Sequence, residues 1–212
     1  MNPTPSTPGG ISRLSEIVLK DAYRAHFEAA MASCLGPISF RNRKKVEFHE
    51  FLALAQISGR IRPFVANLED SMQLVFALRA PVPVMGADGI LQIADEAHLH
   101  LCYREEAMKR PQPGHSFVQV LQPSGVWLPN ISLPTPTQPG LPVQAICLGA
   151  SLPARIRVRE LILMTYGALT LQAIQMNAFD AAGIMNREAS DWWQRNLARI
   201  PLTYEPFLPP NS

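Results

Sequence analysis

Cys147 is the residue of this chain with the most chemistry to offer. It stands between Ile146 and Leu148 in an apolar island, Val143 to Leu148, within a proline-rich stretch over 123–153. A thiol can accept an acyl group from another thioester at little net energetic cost, and the resulting thioester stays reactive toward an amine. Upstream comes Leu128-Pro129-Asn130-Ile131. Asn130 carries a side-chain amide, and a side-chain amide N–H can stabilise a tetrahedral oxyanion wherever it is placed beside one. Both features also have plainer readings. A cysteine between two aliphatic residues packs as a small apolar side chain, and Pro-Asn favours a turn.

Other reactive residues offer less. His98, His100 and Cys102 alternate, so a strand would place them on one face. A metal site there lacks a fourth ligand nearby, and strand packing is the commoner explanation. His115 with Cys147 would suit a cysteine hydrolase, but that chemistry needs a base held by an orienting carboxylate or amide, and no local motif supplies one. No GxGxxG, P-loop or HExxH motif is present. The three cysteines, Cys34, Cys102 and Cys147, lie far apart without a CxxC pair. That argues against a disulfide framework or zinc site and for a reducing compartment. Cys34 and Cys102 read as core residues.

The formal net charge of +2 gives no reason to expect nucleic acid or a membrane surface as the main partner. The one basic run, Arg41-Asn42-Arg43-Lys44-Lys45, reads as a solvated loop leading into a helix. The opening MNPTPSTPGG lacks the charged-then-apolar order of a secretory signal, and no apolar run is long enough to span a bilayer. The expected location is cytoplasmic, and no cofactor is expected.

These residues need elements to position them. Residues 1–10 are expected to be disordered. A first helix is expected from Ser12, its apolar positions from Leu14 to Ala32, stopped by Gly36-Pro37. A second helix is expected from about Arg43 to Ile57. Met72 to Ala80, residues 90–103 and His115 to Leu121 read as strands joined by short turns, an antiparallel meander. Residues 155–175 are apolar on nearly every side, which suits a buried helix, although Arg155 to Arg159 alternates like a strand. A last helix is expected near Asn186 with Trp192, Trp193 and Leu197. The order of elements makes the fold class α+β.

The segment from Val126 to Leu163 holds, in order, Leu128-Pro129-Asn130-Ile131, Ile146-Cys147-Leu148-Gly149 and Pro153-Ala154 before the apolar helix; Met185-Asn186-Arg187-Glu188-Ala189 follows. This order resembles ubiquitin-conjugating enzymes. In that family a His-Pro-Asn tetrad follows the fourth strand, an Ile-Cys-Leu carries the reactive cysteine, a Pro-Ala precedes a buried helix, and a Leu-Asn-x-x-Ala opens the next. The resemblance covers roughly residues 42–200. It departs from the family at Leu128, which replaces the histidine. Sixteen residues (131–146) separate Asn130 from Cys147, more than usual, with Pro134-Thr-Pro-Thr-Gln-Pro-Gly140 as the insertion. The segment from Cys147 to Pro153 is also shorter and lacks the family's tryptophan.

The resemblance implies a ubiquitin-conjugating-like domain over 42–208, with a four-stranded meander packed against helices. Residues 1–41 would form a tail and an extra N-terminal helix. It implies a thioester on Cys147, an oxyanion donor in Asn130 and, more loosely, an acceptor-orienting acid in Asp180. The partners would be a ubiquitin-like protein, an adenylating enzyme and a target lysine. Such divergence is closest in kind to bacterial relatives, encoded beside a ubiquitin-like protein, an adenylating enzyme and a peptidase, some of which defend against phage. Two alternatives stay open: a non-catalytic adaptor of the same fold that binds a ubiquitin-like protein, and a cysteine hydrolase.

Overall fold

The structure, a computed structural model, describes residues 24–135, 142–173 and 183–209. The expected tail, the start of the first helix and Asp180 lie outside the described residues, as does most of the insertion. The fold is α+β. Helix α1 (24–32) and helix α2 (Ile38–Ser58) lead into strands β1 (Ile61–Asn67), β2 (Met72–Met85) and β3 (Leu91–Tyr103). A short helix α3 (Glu106–Lys109) separates these from β4 (Val118–Gln122) and β5 (Gln144–Ile146), and helices α4 (Val158–Leu169) and α5 (Arg187–Gln194) follow.

All five strands form one antiparallel sheet in the order β1-β2-β3-β4-β5. The meander expected from sequence is there, but with five strands rather than four. The fifth is the apolar island before Cys147, pairing Val118 with Ile146 and Val120 with Gln144. Alternation assigns the faces: Met72, Leu74, Phe76 and Leu78 of β2 and Leu99, Leu101 and Tyr103 of β3 are buried. Phe40, Phe48, Phe51 and Leu54 recur at helical spacing on α2 and meet that face, with the Phe51 and Phe76 rings 5.4 Å apart, edge to face. Leu161, Ile162, Tyr166 and Leu169 of α4 are buried in the same core. Helix α1 joins it through Ala30 and through Phe27, whose ring lies 5.5 Å from that of Phe48.

The basic run is a correction to the sequence reading. It lies inside α2, which starts at Ile38. Lys44 is fully buried, and its ammonium donates to the carbonyl oxygens of Leu35, Leu68, Glu69 and Asp70. Burial lowers its pKa, and the proximity of Cys34 and Asp70 opposes that shift. Arg43 turns to Glu47, also fully buried, at 2.8 Å. A helix that faces the core over this much of its circumference can bury a cation where far-off turns supply carbonyls. Among the described residues, 155–157, where a strand was an alternative, pair with no strand, and α4 begins at Val158.

Candidate functional site

Residues 131–135 fold back along 143–146. Ile131 bridges Ile146 and Thr135 bridges Val143, with Ser132 N–H donating to Ala145 O at 2.9 Å. The described residues of this longer loop therefore make the two arms of a hairpin. One step beyond the Ile131–Ile146 bridge, the same register sets Asn130 opposite Cys147. Cys147 N–H donates to Asn130 O at 2.8 Å, and Asn130 Nδ2 donates to Cys147 O at 3.3 Å. Loop length thus has no bearing on their separation, since the hairpin closes at its base.

Directly opposed residues of an antiparallel pair project to the same face. Ile131 and Ile146 point into the core, both fully buried. By that alternation Asn130 and Cys147 lie on the opposite side of the hairpin, with Ser132 and Ala145; Asn130 is itself buried, and Cys147 half-buried. The Cys147 thiol donates to Gly149 O at 3.5 Å. That carbonyl also accepts Gly114 N–H at 3.0 Å. The crossing is tight enough that a Cβ on Gly114 would meet Gly149 O at 2.3 Å. Gly149 adopts φ +136°, which glycine alone takes without strain.

Three further devices fix the surroundings. Gln144 is buried beside Ile146, and its side-chain amide behaves as a peptide group of a missing strand. Its Oε1 accepts Val126 N–H at 2.8 Å, and its Nε2 donates to Val126 O at 3.1 Å and to Ser132 O at 2.7 Å. The turn before Asn130 is clamped from α5: Met185 and Asn186 N–H both donate to Pro129 O, at 2.7 and 3.0 Å. Asn186 caps the helix by accepting Ala189 N–H at 3.0 Å, and Trp193 Nε1 donates to Trp127 O at 2.7 Å. On the far side, Glu47 accepts Val158 N–H at 2.7 Å while Arg43 and Tyr103 donate to carbonyls of residues 155–156. Together these anchor the segment that follows the cysteine. Burial raises the Glu47 pKa, and the Val158 hydrogen bond and Arg43 oppose the shift.

Of the residues singled out from sequence, the structure brings Cys147 and Asn130 together. Leu128, in the place of a histidine, is fully buried as a core residue. Cys34 is buried just after α1, and Cys102 is half-buried on β3; no disulfide joins the three cysteines. His98 hydrogen-bonds Glu96 at 3.1 Å, and among the described residues no group of three or more His, Cys, Asp or Glu could hold a metal ion. His115 is exposed in the turn Gly114–Ser116, and among the described residues its ring meets no orienting carboxylate or amide. Gln144 and Gly114 were not anticipated. The signal for Gln144 was a polar residue on the same face as Ile146 in an otherwise apolar strand. Among the described residues no helix is long and apolar enough to cross a membrane.

Comparison with models of protein families, with curated proteins and with solved structures finds no match to this chain. Any functional reading therefore rests on its own residues and geometry.

Proposed function

We propose that the chain is a ubiquitin-conjugating-like acyltransferase that carries a ubiquitin-like modifier as a thioester on Cys147. The observation that supports this best is the pairing of Asn130 with Cys147 at the base of a hairpin. It sets an amide donor beside a thiol on one face, in the order Pro-Asn-Ile, Ile-Cys-Leu, Pro-Ala. The succession helix, antiparallel meander, cysteine segment and buried helix is the arrangement that the family resemblance implies.

In the proposed reaction the Cys147 sulfur attacks the carbonyl carbon of the modifier's thioester on an adenylating enzyme. A new C–S bond forms, the old one breaks, and the donor thiol leaves with the proton. A lysine amine of the target then attacks the same carbon. The oxyanion forms within reach of the Asn130 amide, the C–S bond breaks, and Cys147 leaves as the thiol while an isopeptide bond remains. Among the described residues one Asn130 N–H is engaged, by Cys147 O; a primary amide carries a second. The setting we propose is a bacterial conjugation system, with antiphage defence as its purpose.

The test is a charging reaction with the ubiquitin-like protein and adenylating enzyme encoded by neighbouring genes, ATP and no reductant. Wild type should give a higher-mass adduct that collapses with thiol. Cys147→Ser should give at most a thiol-resistant oxyester, and Cys147→Ala none. Cys34→Ala and Cys102→Ala should still charge. An adduct on Cys147→Ala equal to wild type would overturn the proposal.

A further inference from the structure

Resting on that reading, we propose that Asn186, which caps α5, is a positioning residue for Asn130: it sets which end of the Asn130 amide faces Cys147. Asn130 is 7% exposed, Asn186 3% and Ser190, one turn along α5, 1%, so bulk water does not serve them. Each holds a buried side-chain atom with no hydrogen-bond partner among the described residues: Asn130 Oδ1, Asn186 Nδ2 and Ser190 Oγ. Such atoms are uncommon in folded chains, and each costs stability while it stays unpaired. The backbones that carry them are one hydrogen bond apart. Asn186 N–H donates at 3.0 Å to the Pro129 carbonyl, whose carbon is bonded to the Asn130 nitrogen. Ser190 N–H donates at 3.1 Å to Asn186 O.

Polarity ties the two amides together. Asn186 Oδ1 is committed to Ala189 N–H at 3.0 Å, so the cap fixes this side chain and leaves its Nδ2 as a donor. Asn130 Nδ2 is committed to Cys147 O at 3.3 Å, which leaves its Oδ1 as an acceptor. Donor and acceptor complement each other, directly or through the Ser190 hydroxyl, which does both. Only one end of an amide can stabilise an oxyanion. A donor at 186 favours the orientation with Asn130 Oδ1 toward α5 and Nδ2 toward Cys147. An acceptor at 186 would favour the reverse and turn the Asn130 carbonyl oxygen to the developing charge. Asn, Asp and Ser cap a helix about equally well. The cap alone therefore does not call for an amide at 186, whereas this link does.

The test compares Asn186→Asp with Asn186→Ser in the whole chain. Cys147 is acylated by the 2-mercaptoethanesulfonate thioester of acetyl-Gly-Gly, with Cys147→Ala as blank, and discharge to free lysine is timed by intact mass. Asn186→Asp keeps the cap and exchanges the donor for an acceptor. Discharge should fall about a hundredfold, the worth of one oxyanion donor, to the rate of Asn130→Ala. Asn186→Ser keeps the cap and only removes the donor. Discharge should fall by a smaller factor, because the bond to Cys147 O still favours the active orientation. A residue that merely caps α5 predicts equal rates for the two. Nuclear magnetic resonance of the unacylated chain reads the amide itself. Cross-relaxation between the Asn130 Nδ2 protons and the Cys147–Leu148 backbone should be present in wild type, weaker in Asn186→Ser and lost in Asn186→Asp. Cross-relaxation as strong in both variants as in wild type overturns the positioning role; if Asn186→Asp does not fold, an undiminished signal in Asn186→Ser alone does so. Its loss without slower discharge keeps that role and takes the oxyanion from Asn130. No acylation of Cys147, where a surface-thiol control peptide reacts, overturns the thioester reading, and the spectra still decide the positioning.

Discussion

Replacing Gln144 with leucine tests whether this side chain holds the cysteine's surroundings in place. Val126 bridges Val84 of β2 in the register where its neighbours make the bonds, Met85 N–H to Gly125 O and Trp127 N–H to Pro83 O. Its own N–H and C=O therefore face Gln144, and Val126 is only 1% exposed, so water cannot substitute. Gln144→Leu keeps the volume and deletes all three side-chain hydrogen bonds. Each buried group left without a partner costs about 1–3 kcal/mol, the donor most reliably. The leucine recovers about 1–2 kcal/mol through apolar burial. The net expectation is a loss of about 2–4 kcal/mol in urea denaturation at unchanged m. Hydrogen exchange localises it: the Val126 amide should lose protection while the amides of β2 and β3 that pair with each other keep theirs. A loss under about 1 kcal/mol, or a Val126 amide as protected as in wild type, refutes the claim that Gln144 closes this ladder.

Gly114→Ala should cost about 1–3 kcal/mol in thermal denaturation, because its Cβ meets the Gly149 backbone; the released Cys147–Gly149 segment should react faster with iodoacetamide. Glu47→Ala should cost about 3 kcal/mol by chemical denaturation, since it leaves the half-buried Arg43 guanidinium without its carboxylate and the buried Val158 N–H without an acceptor. Burial, aided by Arg104 and opposed by a hydrogen bond to Gln119, holds the His100 pKa below the ordinary value. The unfolded chain then binds more protons between the folded value and about 6.5, so stability rises with pH across that window and is lost as pH falls through it. His100→Gln should lose less stability than wild type between about pH 7.5 and 5.5, read from denaturation midpoints; an unchanged pH slope would count against this.

What the sequence made legible follows from periodicity. Leu161, Ile162 and Tyr166 announce a buried helix, and alternation through β2 and β3 announces the meander, because one face of each element meets the core. β5 was missed because it has only three residues in a proline-rich stretch, and its pairing with β4 is a long-range choice. The basic run was misread because a cluster of charges is usually solvated. Nothing local tells that Lys44 will find the carbonyls of Leu68, Glu69 and Asp70 across the β1–β2 turn. At the site, residue types were legible, and the nearness of Asn130 to Cys147 was expected from the family resemblance but not from the spacing. Spacing separates Asn130 from Cys147, and only the hairpin register, fixed by Ile131 and Ile146 both seeking the core, brings them together.

The same register decides from where the thiol can be reached. The strand leading to Cys147 is paired on both edges, by β4 through Val118 and by the first hairpin arm through Ile131, and its inner face is core. Among the described residues, the approach to the thiol that this pairing leaves is over the face that carries Asn130, Ser132 and Ala145. Buried polar groups cost desolvation unless partnered, yet Gln144, Glu47 and Lys44 all serve backbone that no strand completes. Apolar replacements there would fill the space and strand the peptide groups, which must be satisfied somewhere. On the proposed reading the thiol meets two bulky partners in succession, and it would benefit from this arrangement. Hydrogen bonds from the core side hold the loops on either flank, so neither encounter would have to reorganise the cysteine's backbone.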